Sequence, residues 1–224
     1  YGHERVVELL LQHGAEINLQ SSSGGTALTS AARQGNERVV GLLLQRGAEI
    51  NKQNSNGGTA LICAAGYGHE RVVDLLLQRG AEINMQSGEG WTALMFAAIS
   101  AHPAVVLRLL RAGADTAVRS EDGKTALQWA KEKCHAACVG AFRQHIEEVT
   151  ASQREAAAGG AGGASSGEAA AGARAAASSG SPGRLSEEAR RLEAGIAAAR
   201  GDEAAVLAWL DSGGRVNATC GTGD

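Results

Sequence analysis

Apolar and polar positions along the first two thirds of the chain follow a pattern that recurs at one fixed spacing. Each repeat starts with a Thr-Ala-Leu triplet, and the four triplets begin at Thr26, Thr59, Thr92 and Thr125. Within a repeat, a short stretch places small residues such as Ala31 and Ala32 on one side. A second stretch, from 39 to 44, has apolar residues at i, i+1, i+4 and i+5. Both spacings are typical of amphipathic helices, so the sequence predicts two helices per repeat.

The residues that flank these stretches predict where each helix begins and ends. Thr26 is a suitable N-cap because its hydroxyl can accept a hydrogen bond from a free backbone N–H of the first turn. Gly35 follows the first helix, where glycine adopts the left-handed conformation at little cost. Asn36, His69 and His3 stand at the start of the second helix in their respective repeats, and we expect them to act as caps.

A single pair of short helices has too little surface to bury its own apolar face. Stacked pairs bury that face against each other, and small residues such as Ala31 and Ala32 allow the helices to approach closely. The residues that recur unchanged are therefore the predicted interface between neighbouring units. The predicted fold class is an all-α solenoid of stacked helix–turn–helix units.

The repeat resembles the ankyrin repeat, which has a 33-residue period and a TPLHxA signature. The signature has four counterparts in this chain, TALTSA, TALICA, TALMFA and TALQWA. Residues 68–84, GHERVVDLLLQRGAEIN, are similar to the second half of that repeat. The resemblance covers residues 1–149 and implies an ankyrin solenoid with short β-turn or hairpin tips. It would contain a partial first unit, three full units and a decayed C-terminal capping unit.

Two positions of the signature depart from the family. Its proline is replaced at Ala27, Ala60, Ala93 and Ala126, and its histidine is replaced at Thr29, Ile62, Met95 and Gln128. Proline at the first helical position is helpful but replaceable. The loss of the histidine is expected to remove a buried hydrogen bond between loops, so we expect the fold to survive with lower stability.

The pattern weakens after the fourth triplet, where Lys131 and Arg143 occupy the positions of Ala98 and Leu110. A polar last unit is what closes a solenoid, so we predict a terminal helix from Lys133 to about Val149. Residues 150–183 consist mainly of Ala, Gly and Ser, without an apolar period. Such a segment has too little to bury, which predicts a flexible linker.

Residues 184–224 are predicted to start a second ankyrin array. Ala197 and Ala198 align with Ala31 and Ala32 of the first array, and the charged residues before them are typical of an N-terminal capping unit. A lone unit is not stable. Either more repeats follow in the parent protein or this unit packs back on the first array. Because Tyr1 lies inside a repeat, we expect the sequence to be a fragment or a processed piece.

Composition narrows the classes of function. The formal net charge is −3 with both signs mixed, which argues against a nucleic-acid-binding protein. No apolar run is long enough to cross a bilayer, so no membrane association is predicted. The four cysteines, Cys63, Cys134, Cys138 and Cys220, are scattered, which favours reduced thiols and a cytoplasmic location, with the nucleus as the alternative. We expect a monomer.

A search for catalytic and ligand sites indicates no enzyme, metal, cofactor or small-molecule substrate. The glycines of 159–163 follow no strand and lack the Lys-Ser/Thr of a phosphate-binding loop. Glu147 and Glu148 lie on a solvated helix. Cys134, His135 and Cys138 have a ligand-like spacing, but structural zinc takes four ligands and no fourth is near. The alternative is that these are small, half-buried helix residues.

The family resemblance implies that recognition uses the concave side, formed by the turn tips and the inner helices. Residues that vary between units at those positions are the predicted partner-binding set: Gln20, Ser22, Ser23, Arg33, Gln34, Gln53, Ser55, Asn56, Tyr67, Gln86, Glu89, Trp91, Arg119, Glu121 and Lys124. Tyr67 and Trp91 are aromatic and so are candidate anchors. Trp91 either anchors a partner or packs on a neighbouring turn. Arg33 and Tyr67 form either a solvated pair or a cation–π contact.

Three hypotheses of function follow. The first is a non-catalytic scaffold that binds another protein on the concave face of the array. The alternative is a regulatory or substrate-recruiting region of a larger enzyme or ubiquitin-ligase subunit. The resemblance also marks Asn18, Asn51 and Asn84 as possible asparagine hydroxylation sites, against the simpler interpretation that each hydrogen-bonds its own turn.

Overall fold

The computed structural model describes residues 4–159, so His3, most of the predicted linker and the predicted second array lie outside the described residues. Within this range the backbone forms α-helices joined by turns: α1 Glu4–Gln12, α2 Ala27–Arg33, α3 Glu37–Gln45, α4 Ala60–Gly66, α5 Glu70–Gln78, α6 Ala93–Ile99, α7 Pro103–Arg111, α8 Ala126–Glu132 and α9 Ala136–Gly159. The even-numbered helices are the short inner helices, and the odd-numbered ones are the outer helices.

The helices stack as two parallel rows. Each inner helix contacts the next inner helix, each outer helix contacts the next outer helix, and the two helices of a unit pack on each other. The core runs along the stack between the rows, where Ala64, Ala97 and Val73 are fully buried. Small side chains on the inner helices allow this close approach. The predicted all-α solenoid of helix–turn–helix units is confirmed.

The inner helices begin at the predicted threonine caps. The hydroxyls of Thr26, Thr59, Thr92 and Thr125 each accept a hydrogen bond from the backbone N–H three residues later. In the first and last of these helices, the side chains of Thr29 and Gln128 bond back to the backbone N–H of the cap. Two of the positions that depart from the family signature therefore complete capping boxes.

The predicted capping by Asn36 and His69 is wrong. Both stand at the N-cap positions of α3 and α5, but neither side chain makes a capping hydrogen bond. The His69 ring instead reaches the preceding unit, where its Nε2 donates to the carbonyl oxygen of Arg33 at 2.9 Å. His102 does the same with Gly66 at 3.1 Å. These rings therefore join units, because a carbonyl in the last turn of an inner helix has no partner within its own helix.

Glycine at the end of an inner helix makes room for the next unit's ring. Gly35 has a φ of +72°, and a Cβ there would lie 2.5 Å from Nδ1 of His69. Ala101 and Cys134 hold the same place in later units with φ near 60°, which is costly for residues with a Cβ. Beside Ala101, the ring of His135 bonds the carbonyl oxygen of Ala98 through Nδ1 instead of Nε2. The acceptor is also one residue earlier than in the preceding units, since Ala98 is equivalent to Ala65 and not to Gly66.

The terminal helix is longer than predicted. It begins at Ala136, close to the expected start, but continues past Val149 to Gly159, into the segment assigned to the linker. Residues 150–158 are rich in Ala, Gln, Glu and Arg, which favour helix, and glycines follow from Gly159. Lys131 and Arg143 of the last unit are exposed. That this unit closes the array stays a prediction.

Ion pairs cross between successive outer helices. Arg108 of α7 pairs with Glu70 and Asp74 of α5, and Arg111 pairs with Glu148 of α9. The hydrogen bonds from the Arg111 guanidinium hold the pKa of Glu148 at about 2. These charged side chains lie on the outer face and pair with each other, so they are already engaged within the protein.

Candidate partner-binding groove

Four tips connect the units and lie beside the inner helices: tip 1 is 20–25, tip 2 is 53–58, tip 3 is 86–91 and tip 4 is 119–124. Each tip is closed by a backbone hydrogen bond, as from Asn54 N to the carbonyl oxygen of Gly58 at 3.0 Å. Neighbouring tips are also joined through their backbones, as from Gly88 N to the carbonyl oxygen of Asn56 at 2.8 Å. The tips therefore form a continuous edge along the array.

The first residue of each tip strengthens this edge. Nε2 of Gln53 donates to the carbonyl oxygen of Gly57 in its own tip and of Gln86 in the next, both at 2.9 Å. Gln20 and Gln86 make the equivalent pairs of bonds, and Arg119 donates to Gly123 in the last tip. The amide donors of these predicted contact residues are thus used within the protein, which explains why glutamine recurs.

The asparagines that end the outer turns also join units. Oδ1 of Asn51 accepts from the backbone N–H of Glu82, in the following unit, at 3.0 Å. Asn18 and Asn84 accept in the same way from Glu49 and Asp115. Each asparagine therefore bonds the following unit, and the interpretation that it bonds its own turn is wrong. Hydroxylation of these residues stays a prediction.

An aromatic cluster fills the C-terminal half of the face formed by the tips and inner helices. Trp91 stacks on Trp129 with ring centroids 4.7 Å apart and contacts Phe96 at 5.3 Å. Nζ of Lys124 lies 4.4 Å from the centre of the Trp129 ring and also pairs with Glu132. Of the two alternatives for Trp91, the structure shows the packing contact: this half-buried side chain is part of the scaffold.

The N-terminal half of the same face holds a groove of about 840 Å³. It crosses three units, and tips 2 and 3 form one wall. Its lining residues are Arg33, Asn54, Ser55, Asn56, Gly58, Ile62, Cys63, Gly66, Tyr67, Ser87, Gly88, Glu89, Phe96 and Ser100. Five of the predicted partner-binding residues meet here, namely Arg33, Ser55, Asn56, Tyr67 and Glu89. The predicted residues Ser22, Ser23, Gln34 and Glu121 are exposed but lie outside it.

The groove exists because small residues replace large ones. Gly58 occupies the position that Trp91 fills one unit later, and Cys63 occupies the position of Phe96. Gly66 likewise occupies the position that Ile99 fills one unit later. A Cβ added at Gly66 would lie 3.6 Å from Phe96, which is an ordinary van der Waals distance. A comparison of side-chain size at equivalent positions of the repeats could have predicted this groove. The predicted partner-binding set was chosen from residues that vary between units, and it did not include the floor of the groove.

Two side chains mark the ends of the groove with opposite charge. Arg33 ends α2, and Glu89 lies on tip 3 two units further along; both are exposed. Between them stands Tyr67, which is 60% exposed and lies parallel to the His69 ring with centroids 6.3 Å apart. Tyr67 and Arg33 thus share the groove, and the ring stacks on His69.

Neither Cys63 nor Cys138 is an activated nucleophile. Burial raises the pKa of Cys63 and outweighs the opposing effect of the nearby Arg33 charge, so the thiol stays protonated near neutral pH. Cys138 is fully buried and burial raises its pKa as well, whereas Cys134 is exposed. Within residues 4–154, no three His, Cys, Asp or Glu side chains are grouped so as to hold a metal ion.

None of the helices in the described part of the chain combines the length and apolar composition needed to span a bilayer.

Comparison with known families identifies the repeat. A family model described as ankyrin repeats (3 copies) matches residues 1–87, and a second, described as ankyrin repeats (many copies), matches residues 76–130. A search of curated proteins gave no match. Ankyrin repeats indicate a protein–protein interaction module and are generally non-catalytic. The chain belongs to the ankyrin repeat family, and its described residues form an all-α ankyrin solenoid.

Proposed function

We propose that this array is a non-catalytic scaffold that binds a protein partner on the concave face formed by the tips and inner helices. The observation that carries the proposal is the groove over α4, an open space of about 840 Å³ on this face. It combines an exposed aromatic ring, Tyr67, with polar tip side chains. Exposed aromatic residues beside a pocket commonly provide most of the energy of a protein interface.

Other parts of the surface support the proposal by contrast. The outer helices carry ion pairs between units, such as Arg108 with Glu70 and Asp74. The glutamines of the tips bond the neighbouring tip. Both sets of side chains hold the array together, while the side chains of the groove are arranged around an open space. A groove that is already formed needs little rearrangement on binding, which lowers the entropic cost of association.

The test is a comparison of two glycine substitutions in the full chain. Gly66→Ile places in the groove floor the residue that the next unit carries at Ile99. Gly41→Asp is the matched control. It replaces a glycine of outer helix α3 by the residue that the next unit carries at the equivalent position, Asp74. Each protein is immobilised, exposed to cell extract, and its bound proteins are quantified by mass spectrometry.

We expect a partner to bind the unmodified chain and Gly41→Asp but not Gly66→Ile. Thermal melting checks that both variants stay folded, which is expected because the Gly66 site has room for a Cβ. Equal recovery by all three proteins would contradict the groove as the binding site.

A further inference from the structure

We propose that the groove binds a single segment of a partner protein in which a large apolar residue lies between an acidic residue and a basic residue. The acidic residue would pair with Arg33, the apolar side chain would enter the floor, and the basic residue would pair with Glu89. This inference rests on the proposed function and adds the chemistry of the partner.

The floor selects an apolar side chain. It is formed by Ile62, Cys63 and Phe96, and the absence of a side chain at Gly66 gives it depth. Ile62 is only 5% exposed, and the half-buried Cys63 thiol is neutral because burial raises its pKa. A charged group in this space would lose hydration without a partner, whereas an apolar group gains by leaving water.

The two charges at the ends have no partner within the described part of the protein. Neither the Arg33 guanidinium nor the Glu89 carboxylate makes an ion pair or side-chain hydrogen bond among residues 4–154. Two arginines of outer helix α7, Arg108 and Arg111, are by contrast paired. Charges left open at the rim of a site steer association and select for complementary charge.

The positions of the two charges determine where the acidic and the basic residue of the segment lie. Arg33 ends its inner helix, away from the tips, in the first of the three units that the groove crosses. Glu89 lies on the tip edge in the third. A partner segment would therefore cross the groove diagonally, with its acidic end at Arg33. Glu89 and the negative net charge of the chain disfavour a polyanion such as nucleic acid in the same place.

The experiment is a selection of short random peptides displayed on phage against the immobilised full chain. The unmodified protein is compared with Arg33→Glu and with Glu89→Lys. Arg38→Glu on outer helix α3 is the matched control, since Arg38 is an exposed arginine of the same array outside the groove. Arg33→Lys keeps the charge, and melting curves check that each variant is folded.

The expected result is that the unmodified protein and Arg38→Glu enrich peptides in which a large apolar residue lies between an acid and a base. Arg33→Glu should enrich a base in place of the acid, and Glu89→Lys an acid in place of the base. A peptide selected on the unmodified protein should bind Arg33→Glu about tenfold more weakly or worse, and Arg33→Lys within about threefold.

Two results would overturn the inference and are distinguishable. If Gly66→Ile abolishes binding of the selected peptides but the charge reversals do not change which peptides are enriched, the charge pairing is wrong while the groove remains the binding site. If the selected peptides still bind Gly66→Ile, or if no peptides are enriched, both the charge pairing and the groove as binding site are contradicted.

Discussion

Trp91 and Gly58 hold the same position in successive units, and they divide one face of the array into two halves. Around Trp91 the face is closed, because Phe96 and Trp129 pack against it and Lys124 covers the outer ring. In the unit of Gly58 the face is open over Cys63 and Gly66, because these small residues stand where the next unit carries Phe96 and Ile99. The scaffold is the same in both halves, and only the size of a few side chains differs.

This difference separates stability from recognition. In the closed half, aromatic side chains bury apolar area within the protein and stabilise the last units of the stack. In the open half, the Tyr67 ring is left 60% exposed, so its apolar area remains available to another molecule. The comparison therefore predicts that substitutions in the closed half mainly change stability, and substitutions in the open half mainly change binding.

The largest expected effect is that of Trp129→Ala in the closed half. Trp129 is 8% exposed and contacts both Trp91 and Lys124, so its removal leaves a cavity in the core. We expect the free energy of unfolding to fall by about 3–5 kcal/mol, measured by urea denaturation. Tyr67→Ala in the open half is the control and should cost about 0.5 kcal/mol or less. Equal losses in the two variants would contradict the division into halves.

A pair of substitutions at equivalent turn positions should have opposite signs. Gly68→Ala is expected to lower the free energy of unfolding by about 2 kcal/mol, because Gly68 has a φ of +77° and the new Cβ would lie 2.6 Å from Nδ1 of His102. Ala101→Gly, one unit later, is expected to raise it by about 0.5 kcal/mol by relieving the left-handed strain. Denaturation curves of the two variants measure both changes. A loss of stability in Ala101→Gly would show that the strain argument is wrong.

A pH effect is expected near the closed half, at His145 of α9. This side chain is buried, and within the described residues its Nδ1 has no hydrogen-bond partner. Burial lowers its pKa, an effect that Arg111 reinforces and Glu148 opposes. The unfolded chain therefore takes up a proton as the pH falls below about 6.5 while the folded chain resists it, so stability present at neutral pH is lost on acidification.

The measurement is urea denaturation at about pH 7 and about pH 5.5, with an expected loss of less than about 1.4 kcal/mol per pH unit from one proton. His145→Leu is the control and should lose this part of the pH dependence. If the free energy of unfolding of that variant depends on pH as steeply as before, the pH effect arises from titratable groups other than His145. The Glu148–Arg111 pair contributes to the pH dependence of stability in a different pH range, between the ordinary pKa of glutamate and about 2.

The smallest effect is expected at the tips that both halves share. Gln53→Ala removes two hydrogen bonds to backbone carbonyl oxygens, but the side chain is exposed and water can replace it. We expect a loss of about 0.5 kcal/mol in the free energy of unfolding. Hydrogen exchange of the tip 2 and tip 3 amides should show the change more clearly than global unfolding. If the exchange rates do not change, the backbone hydrogen bonds between the tips are sufficient to hold them together without the Gln53 side chain.

Features set within one repeat could be predicted from the sequence. The threonine caps and the paired helices depend on residues that are close together along the chain, and the regular period multiplies the signal. The His69 contact with Arg33 was missed because it joins residues of different units. The packing of Trp91 stayed open for the same reason, since Trp129 belongs to the following unit. The groove was harder still, because it depends on small residues of one unit, Gly58, Cys63 and Gly66, and is lined by residues of three units.

The central claim, that a partner binds over α4, is tested most directly by photo-cross-linking from two positions of one unit. A photoreactive phenylalanine analogue is placed at Tyr67 in the groove or at Arg71 on outer helix α5, both of which are exposed. The account predicts a cross-linked partner protein from position 67 and none from position 71. Cross-linking from position 71 alone would contradict the account and place the partner on the outer face.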